Sequence, residues 1–197
     1  SGGNGAISTS FAIADGYLVY LDLYRMQIVS IGKGPSQTTV TAPNTEIALG
    51  SKVLIQGKVT DIASGTKQNE QIARFPDGVP VVSDASMGVW MEYVYMQKPK
   101  PADITGVTVK LTAIDSTGHE QDIGSATTDI FGKYALAWAP TTQGTYRIVA
   151  NFESTDSYWG SQDATYATVG AAASQPQETS TPNPTQTTMP TQTSEPT

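Results

Sequence analysis

Few side chains in this 197-residue sequence have the chemistry for a reactive site, and they are scattered along it. His119 is the only histidine, set in the run Ser-Thr-Gly-His-Glu-Gln-Asp beside Glu120 and Asp122. A histidine among carboxylates can ligate a metal or transfer protons; the plainer reading is a solvated turn. With no second histidine and no cysteine, a zinc site lacks its usual donors. Asp61, Asp84, Asp115, Asp129 and Asp156 fall near expected strand ends, where oxygen-rich loops can bind calcium. None of them lies in a D-x-D-x-D-G loop. Serine and threonine are plentiful, but there is no G-x-S-x-G elbow, and one turn histidine does not supply a hydrolase triad. No spacing singles out two acids as a glycosidase pair. The expectation is a non-enzymatic chain with no catalytic, cofactor-binding or metal-binding residues.

Aromatic and sulfur-containing side chains are more concentrated. The run ASMGVWMEYVYMQKPKP places Trp90, Met91, Tyr93 and Tyr95 within six residues, with Met96 following. Exposed, they would form a contact surface for a sugar, a peptide or a neighbouring domain. Buried, they would plug an open edge or end of a β structure. Burial is favoured, because leaving so apolar a segment in water is costly. Strand alternation would align Trp90, Glu92, Val94 and Met96. Helical spacing would instead group Val89, Tyr93 and Met96, with Ser83 or Asp84 as N-cap. Met and Glu tip the reading towards a short helix over 85–97, and Pro99 and Pro101 stop either element.

The elements around this segment read as strands. Residues 38–43 read as a first strand, and 51–61 alternate through Val53, Ile55, Gly57 and Val59. The β rhythm returns after Gly106 with VTVKLTAID and QDIGSATTD, separated by a turn at Ser116–Gly118. Gly132 to Trp159 carries two strands joined by a tight loop, with Tyr134, Leu136 and Trp138 on one face and Tyr146, Ile148, Ala150 and Phe152 on another. Residues 164–170 close the set. Between these strands, 62–104 is an insertion that opens with a polar loop. Before them, residues 1–34 read as a hairpin turning at Asp15-Gly16, apolar on both faces and so expecting neighbours on both. Gly34-Pro35-Ser36 is a short linker.

Composition narrows the class. Hydrophobic residues make up 38% and charged residues only 15%, with Thr, Ser, Gly and Gln filling the difference, as is common in exported β proteins. A net charge of −7 disfavours nucleic acid and anionic membrane surfaces. No apolar run reaches membrane-spanning length and no signal peptide is present, so the export signal and any anchor are expected outside this stretch. From Ser174 on there is no Val, Ile, Leu or aromatic residue, and Pro recurs among Ser and Thr. Such a segment cannot bury enough apolar surface to offset its ordering entropy, so 171–197 reads as a disordered stalk or linker.

Two resemblances follow from these patterns. The string D129-x-x-G132-x-Y134, W138-x-P140, G144-x-Y146-x-I148-x-A150-x-F152, S157-Y158 resembles the C-terminal half of a prokaryotic Ig-like surface-protein domain. It departs from that pattern at Glu153-Ser154, where the family usually has a Gly. The resemblance implies an all-β sandwich over 36–170, with 62–104 inserted. It also implies a tyrosine corner at Tyr146, with Trp138 and Phe152 placed where other domains carry a disulfide. The segment ADG-YLVYLDLY-RMQIVSIGKG resembles the last blade of a PQQ-like β-propeller. The joint order is similar to that of large archaeal cell-surface propeller proteins. It implies an extracellular spacer whose partners are an upstream propeller of the same chain and a surface glycan or protein. The alternative is a carbohydrate- or protein-binding module that uses the 85–97 aromatics.

Overall fold

Period-two runs broken by glycine and proline dictate short strands, and strands make up 48% of the described residues against 14% in helices. The computed structural model describes residues 7–14 and 17–172. The strands are β1 (Ile7–Ala14), β2 (Tyr17–Asp22), β3 (Gln27–Ile31), β4 (Ser36–Thr41), β5 (Ile47–Ala48) and β6 (Val53–Asp61). After a 3-10 turn at Ser64–Lys67 come α1 (Asn69–Arg74), β7 (Val79–Pro80) and α2 (Asp84–Met96). The chain continues through β8 (Thr108–Ile114), β9 (Glu120–Thr127), β10 (Lys133–Trp138), β11 (Gly144–Phe152) and β12 (Ser161–Gly170). Asp15, Gly16 and the Ser/Thr/Pro-rich stretch from residue 173 lie outside the described residues.

Three sheets result. β1, β2 and β3 form an antiparallel meander. A second sheet has the order β10-β6-β4, with β7 continuing along β6 beyond β10. A third has the order β5-β12-β11-β8-β9. The second and third sheets share one core. Val53, Ile55, Val59, Tyr134 and Trp138 come from the second, and Val109, Leu111, Ile148, Phe152 and Val169 from the third. The loop at Pro140 therefore carries the chain between sheets, and β10 and β11 do not pair with each other.

Individual residues show why the pattern works. Gly57 holds an apolar-face position in β6 but has no side chain to bury. Its cross-strand partner Tyr134 lies over it and donates its hydroxyl to the Thr39 carbonyl at 2.8 Å. A Cβ at Gly57 would stand 1.9 Å from that carbonyl oxygen, so the site requires glycine. Burial pushes the Tyr134 hydroxyl well above its ordinary pKa, which keeps it a neutral donor.

Tyr146 makes the contact expected of it. Its side chain is buried, and its hydroxyl donates to the Thr142 carbonyl at 2.9 Å, tying the loop to the strand it leads into. Trp138 packs edge-on against it with ring centroids 5.1 Å apart. Phe152 is also buried, but it stands six residues further along β11, ~20 Å away at strand rise. Trp138 and Phe152 therefore anchor opposite ends of the core and do not stand in for one disulfide.

The insertion departs from expectation in part. The polar run after Ile62 is not a loop but the 3-10 turn followed by α1. The helical reading of the next segment is correct, yet its buried stripe is Ser86, Trp90 and Val94; Val89 and Met96 are exposed. The helix turns this face because Trp90 and Val94 fill a small second core with Val79 and Val82, backed by Phe75. Replacing Trp138 or Tyr146 with Ala should cost about 3–5 kcal/mol of unfolding free energy in urea denaturation, on the scale of aromatic truncation in a core. Tyr146→Phe should cost about 0.5–1.5 kcal/mol, the hydrogen bond alone. A loss under about 1 kcal/mol in the Ala variants would remove these residues from the core.

Candidate functional site

The aromatic helix is positioned at both ends by named contacts. Ser83 is its N-cap in extended conformation and accepts from the Ser86 N–H through its carbonyl, at 2.9 Å. Ser86 Oγ in turn accepts the Thr105 N–H, which fixes the returning chain. Asp84, in the first turn, accepts the Asp156 and Ser157 N–H groups at 3.0 and 2.9 Å. Hydrogen bonding from Ser157 holds its carboxyl below its ordinary value. At the other end Gln97 adopts φ 55°, and its N–H reaches back to the Glu92 carbonyl, a left-handed stop. α1 supplies the remaining cap. Arg74 donates to the Val94 and Tyr93 carbonyls, each at 2.9 Å, and Gln71 Nε2 to Val94 at 3.2 Å. A cation at a helix C-terminus satisfies both its orphan carbonyls and its dipole.

The four residues expected to form one binding surface are divided between two sides of α2. Trp90 is 1% exposed, and Tyr93 beside it is partly buried. Their rings lie 5.4 Å apart and each packs on Phe75 at 5.9 Å. Met91 and Tyr95, one turn apart, face the opposite way, towards Asp61 and Tyr158. The 3.6-residue period makes this split unavoidable once the segment is helical.

Each side borders a cleft. On the Trp90 side, a cleft of about 250 Å3 is walled by Phe75, Tyr93 and Phe131, with Arg74 and Lys100 at its margin. It sits where β6 changes partner, from β10 at Lys133 to β7 at Pro80. Two glycines make that junction possible. Gly78 (φ 95°) and Gly132 (φ 73°) take left-handed conformations, and a Cβ on Gly132 would meet the Val59 carbonyl at 2.7 Å.

On the other side, Tyr158 is fully buried and donates its hydroxyl to Asp61 Oδ2 at 3.1 Å. Asp61 also accepts the Ala63 N–H at 2.8 Å. Burial nevertheless dominates and raises the Asp61 carboxyl above its ordinary value; these two hydrogen bonds oppose the rise. Burial first, and then the neighbouring Asp61, push the Tyr158 hydroxyl up as well, so the tyrosine stays a donor.

The remaining polar candidates are occupied in turns. Asp115 accepts from the Thr117 hydroxyl and N–H and from the His119 N–H, and the Thr117 hydroxyl foremost holds its carboxyl below the ordinary value. Asp129 accepts the Phe131 and Lys133 N–H groups. These are Asx turns, a common use of Asp at strand ends. His119 is an exposed residue of the Asp115–His119 turn. Among the described residues, no three of His, Asp and Glu come close enough to hold a metal ion. No described helix is long and apolar enough to cross a membrane.

Sequence reasoning missed Phe75, Lys100 and Phe131 as cleft residues and Asp61–Tyr158 as a buried pair. Phe75 and Phe131 each precede a left-handed glycine in a turn, F-P-D-G and F-G, and an aromatic in such a turn was the available signal. No protein-family model matches the chain, and no curated protein is significantly similar to it.

Because the folded state holds the Asp61 proton more tightly than the unfolded chain does, its contribution to stability is fully present below about pH 3.8 and is lost as pH rises through the raised folded value. Asp61→Asn keeps the shape without the charge. The variant's stability relative to the parent should therefore rise with pH across that window and then level off, measured by urea denaturation from pH 3 to 7. A parallel pair of pH curves would show that Asp61 is not desolvated.

Proposed function

We propose that residues 36–170 are an Ig-like sandwich serving as a non-enzymatic spacer in an exported cell-surface protein. In this reading residues 1–34 are the end of an upstream propeller, and 171–197 are a stalk. The observation that carries it is the path of the chain through the module. Gly34 is tied beside Tyr158: its N–H donates to the Ser157 carbonyl at 2.8 Å, and its carbonyl accepts the Trp159 N–H at 2.9 Å. β4 then runs parallel to β12, and the chain leaves at Gly170, the far end of a ten-residue strand, ~33 Å away at strand rise. A module entered at one end and left at the other separates whatever flanks it.

Two further features support the reading. The seam between β4 and β12 is in shear when the ends are pulled, so its bonds are loaded together. The meander keeps large apolar groups in water: Phe11 is 66% exposed and Ile13 71%. A three-stranded sheet of this kind is poorly covered alone and suits one blade of a larger assembly.

In single-molecule stretching, the module loaded through residues 33 and 171 should unfold at higher force than when loaded through 33 and 153, which peels the same seam from one end. Equal forces would sink the spacer reading. In a variant with Trp138 and Trp159 replaced by Phe, Trp90 emission should be blue-shifted and resist acrylamide. Strong quenching would instead favour the rival in which the 85–97 aromatics form an open binding surface.

A further inference from the structure

The cleft between α2, the Phe75–Gly78 turn and the Ile130–Phe131 turn combines two properties. Its walls are aromatic: Phe75, Tyr93 and Phe131, with the buried Trp90 beneath. The Trp90 indole N–H has no acceptor in the protein. Its margin is cationic in a chain of net charge −7. Four of the eleven basic residues gather there. Lys100 Nζ stands 5.1 Å from the centre of the Phe131 ring, and the Arg74 guanidinium 4.7 Å from that of Tyr93. Lys133 Nζ pairs with Asp77 Oδ2 at 3.0 Å, and Lys58 Nζ donates to the Asp77 carbonyl at 2.7 Å.

These groups differ in what they can still do. Arg74 spends its terminal nitrogens on the α2 carbonyls and lies 3.9 Å from Glu70, so it contributes field more than contact. Lys100 holds no acid among the described ion pairs and is free to swing to a ligand. Asp77 is the only acid on the lining, and Lys133 chiefly holds its carboxyl below the ordinary range. An anion entering here meets an excess of positive charge and flat apolar faces to stack on.

The volume sets the size. At about 250 Å3 the cleft is smaller than the roughly 300–1,000 Å3 of a site for a drug-sized ligand, so it suits a single ring. An extended peptide is a poorer fit, because it needs a free strand edge to pair with. Here β7 is only two residues long, is paired to β6, and contains Pro80, which has no N–H to donate.

We infer that this cleft binds an acidic sugar residue of the uronate type, its ring lying against Phe131 and Phe75 and its carboxylate taken by Lys100. This goes beyond the spacer reading and does not depend on it, since a module can separate its neighbours whether or not it holds a glycan.

The test is titration of the full 197-residue chain, followed by amide chemical shifts, with a tri-uronate, a neutral trisaccharide and an acidic peptide. The tri-uronate should shift the Gly78, Lys100 and Phe131 amides with a dissociation constant of about 1 mM, weakening several-fold between about 50 and 500 mM salt. Phe131→Ala, at a 56% exposed position that leaves the core intact, should weaken binding about tenfold. Asp77→Asn, which frees Lys133 and removes the only acid on the lining, should tighten it about threefold, a gain that a merely structural role would not produce. The inference is overturned by an absence of shifts at about 20 mM tri-uronate, an effective upper limit for such a site. Equal binding of the neutral sugar, or tighter binding of the acidic peptide, would overturn it too. The spacer reading stands or falls separately, on the stretching force.

Discussion

The outer edge of β4 is the constraint around which the two core sheets are arranged. That strand pairs with β6 on one side; on the other it presents main-chain groups that must be satisfied without a second ladder. Side chains of the facing strand meet the need. Asp163 Oδ2 accepts the Val40 N–H at 2.9 Å, the Ser36 hydroxyl donates to the Trp159 carbonyl at 2.6 Å, and Thr38 meets Ser161. The seam closes one side of the core with polar groups and fixes β4 parallel to β12. Everything packed between the sheets depends on that closure, because an open side would admit water to Val40, Ile148 and Val169.

The insertion meets a related demand at the end of the same sheet. β6 outruns β10 by several residues, and β7 takes over as its partner at Thr60 and Asp61. The handover leaves a notch that no regular strand could span, and it is made with left-handed glycines on either side. α2 then packs its Trp90–Val94 stripe behind β7 and delivers Met91 and Tyr95 to the buried Asp61–Tyr158 pair. The irregular segment thus does two jobs with opposite faces of one helix. It ends the sheet, and it leaves beside that end an aromatic cleft with cationic margins. A spacer with a single-ring site on its flank is consistent with both.

Local pattern carried a large share of this. Alternation through Val53, Ile55 and Val59, and through Tyr146, Ile148, Ala150 and Phe152, specified strands and their buried faces, because a pleated strand permits only that period. Gly144 followed by Tyr146 foretold a hydroxyl reaching back along the chain, since the residues that bond are four apart. Met and Glu, with prolines downstream, were enough for a helix near 85–97. These are short-range matters, and short-range chemistry governs them. The lack of cysteine and the single histidine were equally plain from the residues alone.

Long-range pairing decided the rest. Which face of α2 is buried depended on what stood behind it, and Val79, Val82 and Phe75 selected Trp90 over Val89. The strands either side of Pro140 joined different sheets, because a loop sequence records that the chain turns but not which edge it turns towards. Asp61 and Tyr158 are 97 residues apart in sequence, and Phe75 and Phe131 are 56 apart by the same numbering. No spacing rule reaches that far. The sequence by itself determined the strands and their apolar faces, since each rests on neighbouring residues. Only the tertiary structure decided which aromatics became core and which became the wall of a cleft, because burial belongs to the surroundings a residue is folded into.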